Sequence, residues 1–241
     1  EAGTVLRDLE LPGSEVCWTA TVTPTGEVYV GCQFGGRLYR YGPGEHRVES
    51  LGSVLPGAEV LWGLTSDASG RVFGGVFARD QRAGRVFGFD PRSGRFRDLG
   101  AVTTKQPYAQ YARDLTVHAG ELYVGLGTTG ARIFRIDIAS GVRREIAMPE
   151  REPHDDEVFD LDVRGDLLFA RLSPSQRLLV YDLEAQRWQN LGRTQQSAVS
   201  PLHDGTVYFV DDEGRLQAYD VERRRKRAAG AGKGAGNAIA A

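Results

Sequence analysis

The stretch GELYVG, Gly120 to Gly125, places a glycine in a turn and continues at once into a strand of alternating apolar residues. The pattern recurs four more times, as GEVYVG from Gly26, GRVFGG from Gly70, GDLLFA from Gly165 and GTVYFV from Gly205. Successive copies begin 44, 50, 45 and 40 residues apart. A spacing of this length indicates a repeated supersecondary unit.

Each copy lies between two further short apolar strands. The preceding strand reads CWTATV, LWGLTS, RDLTV, FDLDV or AVSPL, and the following one reads RLYRY, RVFGFD, RIFRID, LLVYDL or LQAYD. A fourth, more polar strand follows, as in FRDLG and RWQNLG, after turns such as PRSG and IASG. Four short antiparallel strands per repeat are typical of a β-propeller blade, and a two-sheet sandwich does not predict the same order five times. We therefore predict an all-β fold, a β-propeller with five visible four-stranded blades.

We predict a single propeller domain, 1–241, with blades at about 17–51, 60–99, 113–147, 158–191 and 197–228. The basic run ERRRKR, 222–227, fits the fourth strand of the fifth blade. Residues 4–9 and 237–241 resemble single strands without a blade of their own. Five blades and two extra strands favour a piece of a six- or seven-bladed ring, with a complete five-bladed ring as the alternative.

Composition excludes several classes of function. The net charge of −2 gives no reason to expect nucleic acid as a partner. No apolar run reaches the 18 or so residues that span a bilayer, so we expect no membrane insertion. The start of the chain does not fix the compartment, and a secreted or periplasmic location is favoured.

The two cysteines, Cys17 and Cys32, flank one predicted hairpin. Their register decides whether the side chains share a face of the sheet, and a shift of one residue reverses the answer. A disulfide and two buried thiols are both compatible with the sequence, and we favour the thiols.

The segments RVFGFDPRSGRFRDLG and LLVYDLEAQRWQNLG resemble kelch-like and related repeat propellers of bacteria. In those proteins a strand ending in an aromatic residue and aspartate precedes a turn and a strand ending in Leu-Gly. The resemblance covers essentially the whole chain and implies the fold. Propellers with this texture include polysaccharide lyases, sugar-lactone hydrolases, oxidases and binding modules without catalytic activity.

One column of the repeat carries an anomaly. Alignment of the first strands places one residue of each blade at the mouth of the expected central channel: Trp18, Trp62, Arg113, Phe159 and Ala198. Arg113 is the only charged member, and a charge at such a position must be paired or solvated. Asp155, Asp156 and Glu157 on the next blade are its candidate partners. A tie between two blades and a ligand-binding role both remain open.

The predicted site combines aromatic, cationic and amide side chains near this column. Candidate catalytic residues are Arg113, Tyr111, His154 and Tyr108, and candidate ligand-binding residues are Trp18, Trp62, Arg79, Gln110 and Phe159. Aromatic faces can stack on sugar rings, and arginine can bind a carboxylate with two hydrogen bonds. We therefore expect an acidic oligo- or polysaccharide as partner.

If the protein is an enzyme, β-elimination from a uronic acid is the reaction that these residues suggest. Arg113 would neutralise the carboxylate and acidify the neighbouring proton, with His154, Tyr108 or Tyr111 as base or acid. The sequence predicts no metal site and no cofactor, although a divalent cation near Asp155 and Glu157 is compatible with it. The alternative function is a non-catalytic propeller that presents its loops to a protein partner.

Overall fold

The computed structural model describes residues 9–78, 83–103, 111–128, 130–149, 152, 155–195 and 198–230. Every regular element that these residues form is a β-strand. The strands build five antiparallel sheets, four of them with four strands and one with three. The chain divides into two compact units, Glu1–Thr104 and Lys105–Ala241.

The first unit contains two sheets whose strands follow one another in chain order. The first sheet consists of β1 (Cys17–Val22), β2 (Val28–Cys32), β3 (Arg37–Tyr41) and β4 (Glu49–Ser53). The second consists of β5 (Ala58–Ser66), β6 (Val72–Ala78), β7 (Ala83–Asp90) and β8 (Arg95–Ala101). One apolar cluster joins them, with Tyr29 and Leu38 of the first sheet packed among Leu61, Val76 and Phe87 of the second.

The second unit contains three sheets with the same up-and-down order. The third sheet consists of β9 (Tyr111–His118), β10 (Glu121–Gly127), β11 (Arg132–Asp137) and β12 (Arg143–Ile146). The fourth consists of β13 (Glu157–Arg164), β14 (Leu167–Ser173), β15 (Arg177–Asp182) and β16 (Arg187–Arg193). The fifth consists of β17 (Thr206–Val210), β18 (Leu216–Asp220) and β19 (Arg225–Gly230). One apolar cluster joins the third and fourth sheets, and another joins the fourth and fifth.

The first strand of each four-stranded sheet carries a β-bulge at the same place. Its pairing with the second strand skips one residue there, and the skipped residues are Trp18, Trp62, Arg113 and Phe159. These are four of the five residues of the predicted column. Since a bulge bends the strand and redirects a side chain, the column is a structural feature of the repeat.

In three of these sheets, the residue directly after the bulge pairs with a glycine of the second strand: Gly31, Gly75 and Gly125. A Cβ added at Gly125 would lie 2.7 Å from Val158 of the next sheet, and one at Gly31 would lie 2.9 Å from Leu61. The absence of a side chain therefore lets an apolar residue of the neighbouring inner strand approach the backbone.

The bulge also explains the cysteines. Counting back from Val22, which pairs with Val28, an unbulged strand would place Cys17 opposite Gln33. The extra residue at Trp18 instead places Cys17 opposite Cys32, and the two form a disulfide. The interpretation as two thiols was wrong.

The fifth blade lacks the predicted first strand. Ser200 donates its N–H to the carbonyl of Tyr208, but its hydroxyl, rather than its carbonyl, accepts the N–H of Tyr208. The next residue, Pro201, has no N–H to continue a ladder. Ala198 therefore lies in an irregular segment rather than in a regular strand. Residues 1–8 and 231–241, which include most of the two predicted extra strands, lie outside the described residues.

The close approach at Gly125 predicts a costly substitution. Gly125→Ala places a methyl group against Val158, so the two strands must separate, and we expect the free energy of unfolding to fall by about 1–3 kcal/mol. Gly88→Ala is the matched control, because its nearest contact would be 3.3 Å, to the Phe73 ring. Urea unfolding followed by circular dichroism measures both. Equal stabilities of the two variants would contradict this account of the inter-sheet contact.

Candidate functional site

In the first unit the two bulge tryptophans lie together. The rings of Trp18 and Trp62 have centroids 5.2 Å apart and are tilted by 40°. The indole N–H of Trp18 donates to the Gln33 side-chain oxygen at 2.9 Å. Half of Trp18 is exposed to solvent. This pair forms an accessible aromatic surface with one amide group at its edge.

In the second unit the two bulge residues also meet. The guanidinium carbon of Arg113 lies 4.4 Å from the centroid of the Phe159 ring, a cation–π contact between consecutive sheets. Arg113 Nε lies 3.7 Å from a carboxylate oxygen of Glu157. Glu157, one of the three partners proposed from the sequence, therefore neutralises part of the Arg113 charge. The interaction also ties the third sheet to the fourth.

A second arginine, Arg171 of β14, completes the cluster. Its guanidinium carbon lies 4.8 Å from the same Phe159 ring. Its Nε is buried and has no hydrogen-bond partner within the described part of the chain. A buried donor left without a partner costs about 1–3 kcal/mol.

Sequence reasoning missed Arg171, but the repeat contained the signal. Arg171 pairs with Asp160 directly after the bulge, the position that Gly31, Gly75 and Gly125 occupy in the first three sheets. Aligning second strands rather than first strands would have shown an arginine in a glycine column. Two departures from the repeat, Arg113 and Arg171, thus converge on one phenylalanine.

Tyr111 lies at the start of β9, beside this cluster. A Cβ at Gly127 would come within 2.9 Å of the Tyr111 ring and 3.2 Å of a Glu157 carboxylate oxygen, so both side chains border the same glycine. Burial raises the pKa of Tyr111 above its ordinary value; Glu157 adds to the increase and Arg113 opposes it. The phenol therefore keeps its proton at neutral pH.

Three aspartates lie on the inner strands close to the arginines. The Asp114 carboxylate accepts the backbone N–H of Leu161 at 2.8 Å, which links β9 to β13. Burial raises the pKa of Asp114 to about 7, although this hydrogen bond opposes the increase. Burial and the charges of Asp114 and Asp162 raise the pKa of Asp160 well above its ordinary value. Burial also raises the pKa of Asp162, while Arg164 opposes that change.

The carboxylates considered for a divalent cation both face arginines. Asp155 is buried and accepts from Arg177 at 2.7 Å, and Glu157 faces Arg113. Among the residues whose placement is described, no group of three or more histidine, cysteine, aspartate or glutamate side chains could hold a metal ion. A cation at this place stays an untested prediction.

The structure thus brings together Arg113, Tyr111 and Phe159 of the predicted site, and separately Trp18 and Trp62. The remaining predicted residues, Arg79, Tyr108, Gln110 and His154, lie outside the described residues.

The repeated antiparallel sheets, joined by apolar contacts between consecutive blades, define a β-propeller protein. No helix long and apolar enough to cross a membrane occurs in the described ranges.

Solved structures agree with this class. The chain is similar to a chain of the nidogen/laminin complex, with a TM-score of 0.63 and 15% identity over 90% of this chain and 80% of that one. It is similar to a chain of the mitotic checkpoint complex, with a TM-score of 0.65 and 12% identity over 94% and 70%. It is also similar to a catalytically inactive virginiamycin B lyase from Staphylococcus aureus with quinupristin, with a TM-score of 0.67 and 14% identity over 92% and 72%. These likenesses show the fold alone.

No protein-family model matches the chain. No curated protein matches it at a significant level.

Replacement of Asp114 tests the electrostatics of the inner strands. The folded protein holds the Asp114 proton more tightly than the unfolded chain, in which the pKa is about 3.9. The free energy of unfolding should therefore fall as pH rises from about 4 to about 7. In Asp114→Asn the amide oxygen still accepts the Leu161 N–H and does not ionise. We expect this variant to be more stable than the wild type by roughly 1–3 kcal/mol above neutral pH, with the difference vanishing in acid.

Urea unfolding at a series of pH values measures the effect. Asp204→Asn is the control, because the Asp204 side chain is 93% exposed, and its stability should follow that of the wild type at every pH. A stability difference for Asp114→Asn that does not change with pH would show that Asp114 titrates normally in the folded protein.

Proposed function

We propose that this β-propeller is directed at glycans and binds an acidic carbohydrate at the cluster of Arg113, Phe159 and Arg171. The observation that carries the proposal is the presence of two guanidinium groups over one phenyl ring, 4.4 and 4.8 Å from its centroid. Arginine presents donors in a planar fork that matches a carboxylate. The Phe159 ring holds the two guanidinium groups beside each other.

The balance of charge supports an anionic ligand. Glu157 faces Arg113 at 3.7 Å and offsets one of the two positive charges. Asp160, the backbone partner of Arg171, has a raised pKa, because burial and the two neighbouring aspartates disfavour its ionised form. Because its ionised form is disfavoured, Asp160 is a weaker counter-charge for Arg171.

The first unit carries a separate aromatic surface that also suits a carbohydrate. Trp18 and Trp62 present ring faces on the first unit, and Trp18 is half exposed. Flat aromatic surfaces with amides nearby suit the apolar faces and hydroxyl groups of sugars. The kelch-like texture of the blades and the lyase among the similar structures agree with a propeller that handles small or polymeric ligands.

The disulfide favours an oxidising compartment, and thus a secreted or periplasmic location.

The finer proposal is β-elimination from a uronic acid. A base removes the proton beside the carboxylate, the electron pair forms a carbon–carbon double bond, and the glycosidic oxygen leaves as an alcohol after taking up a proton. Arg113 and Arg171 would stabilise the charge that develops on the carboxylate. Tyr111, which keeps its proton because burial raises its pKa, would protonate the leaving oxygen. His154 or Tyr108 would be the base, and no organic cofactor is needed.

A non-catalytic scaffold for a protein partner is the second candidate. Among the exposed apolar residues of the first unit are Val16, Trp18 and Phe34, at 38%, 50% and 60%. The Gln33 N–H donates to the Val16 carbonyl and the Gln33 side chain accepts from Trp18, so these residues lie at one end of the first sheet. Exposed apolar patches mark interaction surfaces. A partner bound there would not respond to substitutions at Arg171.

Binding to oligogalacturonate, with a neutral oligosaccharide as the comparison ligand, tests the proposal by calorimetry. Each arginine is expected to form hydrogen bonds to a charged group, which contribute about 1.5–3 kcal/mol. We therefore expect Arg113→Ala and Arg171→Ala each to weaken binding roughly tenfold or more, with a smaller loss for Arg171→Lys. Arg95→Ala, an exposed arginine of β8, should leave the affinity unchanged. Equal affinity for acidic and neutral sugars, or full affinity in both arginine variants, would contradict the proposal.

Elimination has its own test. The double bond conjugated with the carboxylate absorbs in the ultraviolet, so the intact protein should raise that absorbance with a uronate polysaccharide. Tyr111→Phe should retain oligogalacturonate binding and lose most of the rate, because it lacks the proton for the leaving oxygen. Undiminished product formation by Tyr111→Phe would remove Tyr111 from the mechanism. Binding with no product from any uronate polysaccharide would leave a binding protein.

A further inference from the structure

A groove of about 380 Å³ lies between the third and fourth sheets, away from the bulge column. Among the residues that line it are Tyr123, Arg135, Arg144, Tyr181, Leu183 and Gln186. Its volume falls at the lower end of the range for small-molecule sites.

The groove contains a pair of like charges that no other described sheet has at the same position. Arg135 of β11 lies directly opposite Arg144 of β12, on the same face of the sheet. The equivalent pairs in the other sheets are Arg40–Glu49, Gly88–Arg97, Val180–Gln189 and Ala218–Arg227, and Arg40 forms an ion pair with Glu49 at 3.3 Å. Like charges directly opposite each other are destabilising. Arg177 and Arg193 also lie opposite each other in the fourth sheet, but both face Glu152.

The acidic residues nearby do not balance this pair. Glu121 faces Arg135 at 3.2 Å and also accepts from the Tyr123 hydroxyl at 3.0 Å. Glu145 also lines the groove, but its carboxylate is held by two hydrogen bonds from Arg132. Arg144 is exposed and forms no ion pair with any of the described residues. One positive charge in the groove is therefore left over.

We propose that this groove binds a small organic oxyanion, a carboxylate or phosphate ester on a compact ring, with Arg144 as the principal contact. The anionic group would sit between Arg144 and Arg135 and relieve the repulsion across the strands. The body of the ligand would lie against Tyr181, whose ring packs at a tilt against Trp188, with centroids 4.8 Å apart. This site is independent of the proposed carbohydrate site.

The corresponding groove between the fourth and fifth sheets has a similar volume, about 370 Å³, and is lined by two arginines, Arg187 and Arg224. Arg224 donates to Asp182 at 3.0 Å. Arg187 lies directly opposite the same Asp182 on the neighbouring strand. Both arginines of this groove thus lie beside an acidic residue, whereas Arg144 lies opposite another arginine.

Titration of the protein with phenyl phosphate, benzoate and inorganic phosphate, followed by NMR or calorimetry, tests the proposal. We expect saturable binding in the millimolar range or tighter, with at least one ring-bearing anion stronger than inorganic phosphate. Arg144→Ala should weaken it roughly tenfold. Arg95→Ala, which removes an exposed arginine elsewhere, is the control and should bind normally.

Arg144→Glu adds a readout that does not depend on the ligand. This variant reproduces the Arg40–Glu49 pair of the first sheet, so its melting temperature should rise by about 1–3 °C while anion binding is lost. Absence of binding by the wild type, full affinity in Arg144→Ala, or equal affinity for inorganic phosphate and both ring compounds would overturn the proposal. No rise in melting temperature for Arg144→Glu would show that the arginine pair carries no strain and would also count against it.

Discussion

The close approach of consecutive inner strands is the constraint on which the rest of this structure depends. Val158 reaches the backbone of β10 only because Gly125 has no side chain, and Leu61 reaches β2 at Gly31 in the same way. The bulge one residue away bends each first strand at that point. The apolar clusters that join neighbouring sheets, and the hydrogen bond from Leu161 to Asp114, form at the separation that these glycines allow.

The spacing of the repeats and the alternation of apolar residues along each strand were enough to predict the sheets and the column of the repeat, because apolar side chains recur wherever a blade must bury them. Register was not predictable to one residue. The bulge at Trp18 places Cys17 opposite Cys32, and no local signal in the sequence announces that bulge. The strand expected at Ala198 is also interrupted by a local change in hydrogen bonding: the Ser200 hydroxyl, rather than the Ser200 carbonyl, accepts the N–H of Tyr208. Arg171 was predictable in principle, since it interrupts a glycine column.

The functional candidates are the places where one blade breaks the rule that the others follow. Arg113 stands in a column of aromatic residues and Arg171 in a column of glycines. Arg144 lies opposite Arg135, at a position where the other described sheets pair no like charges. Sequences violate local rules mainly at functional or strained sites. A repeat architecture tolerates such departures because each blade contacts only its neighbours, so the cost stays local.

The protonation of the buried aspartates affects both the stability of the inner strands and the net charge of the proposed carbohydrate site. If Asp114 and Asp160 were both ionised, together with Glu157, the carboxylates near Arg113 and Arg171 would outnumber the guanidinium groups and repel an acidic ligand. Burial disfavours those charges and raises the pKa of both aspartates, which reduces the negative charge beside the two arginines. The same desolvation makes their ionisation costly to the fold. Under the proposed function, acid therefore favours both the compact inner strands and the binding of an anion, and the two effects have a single physical cause.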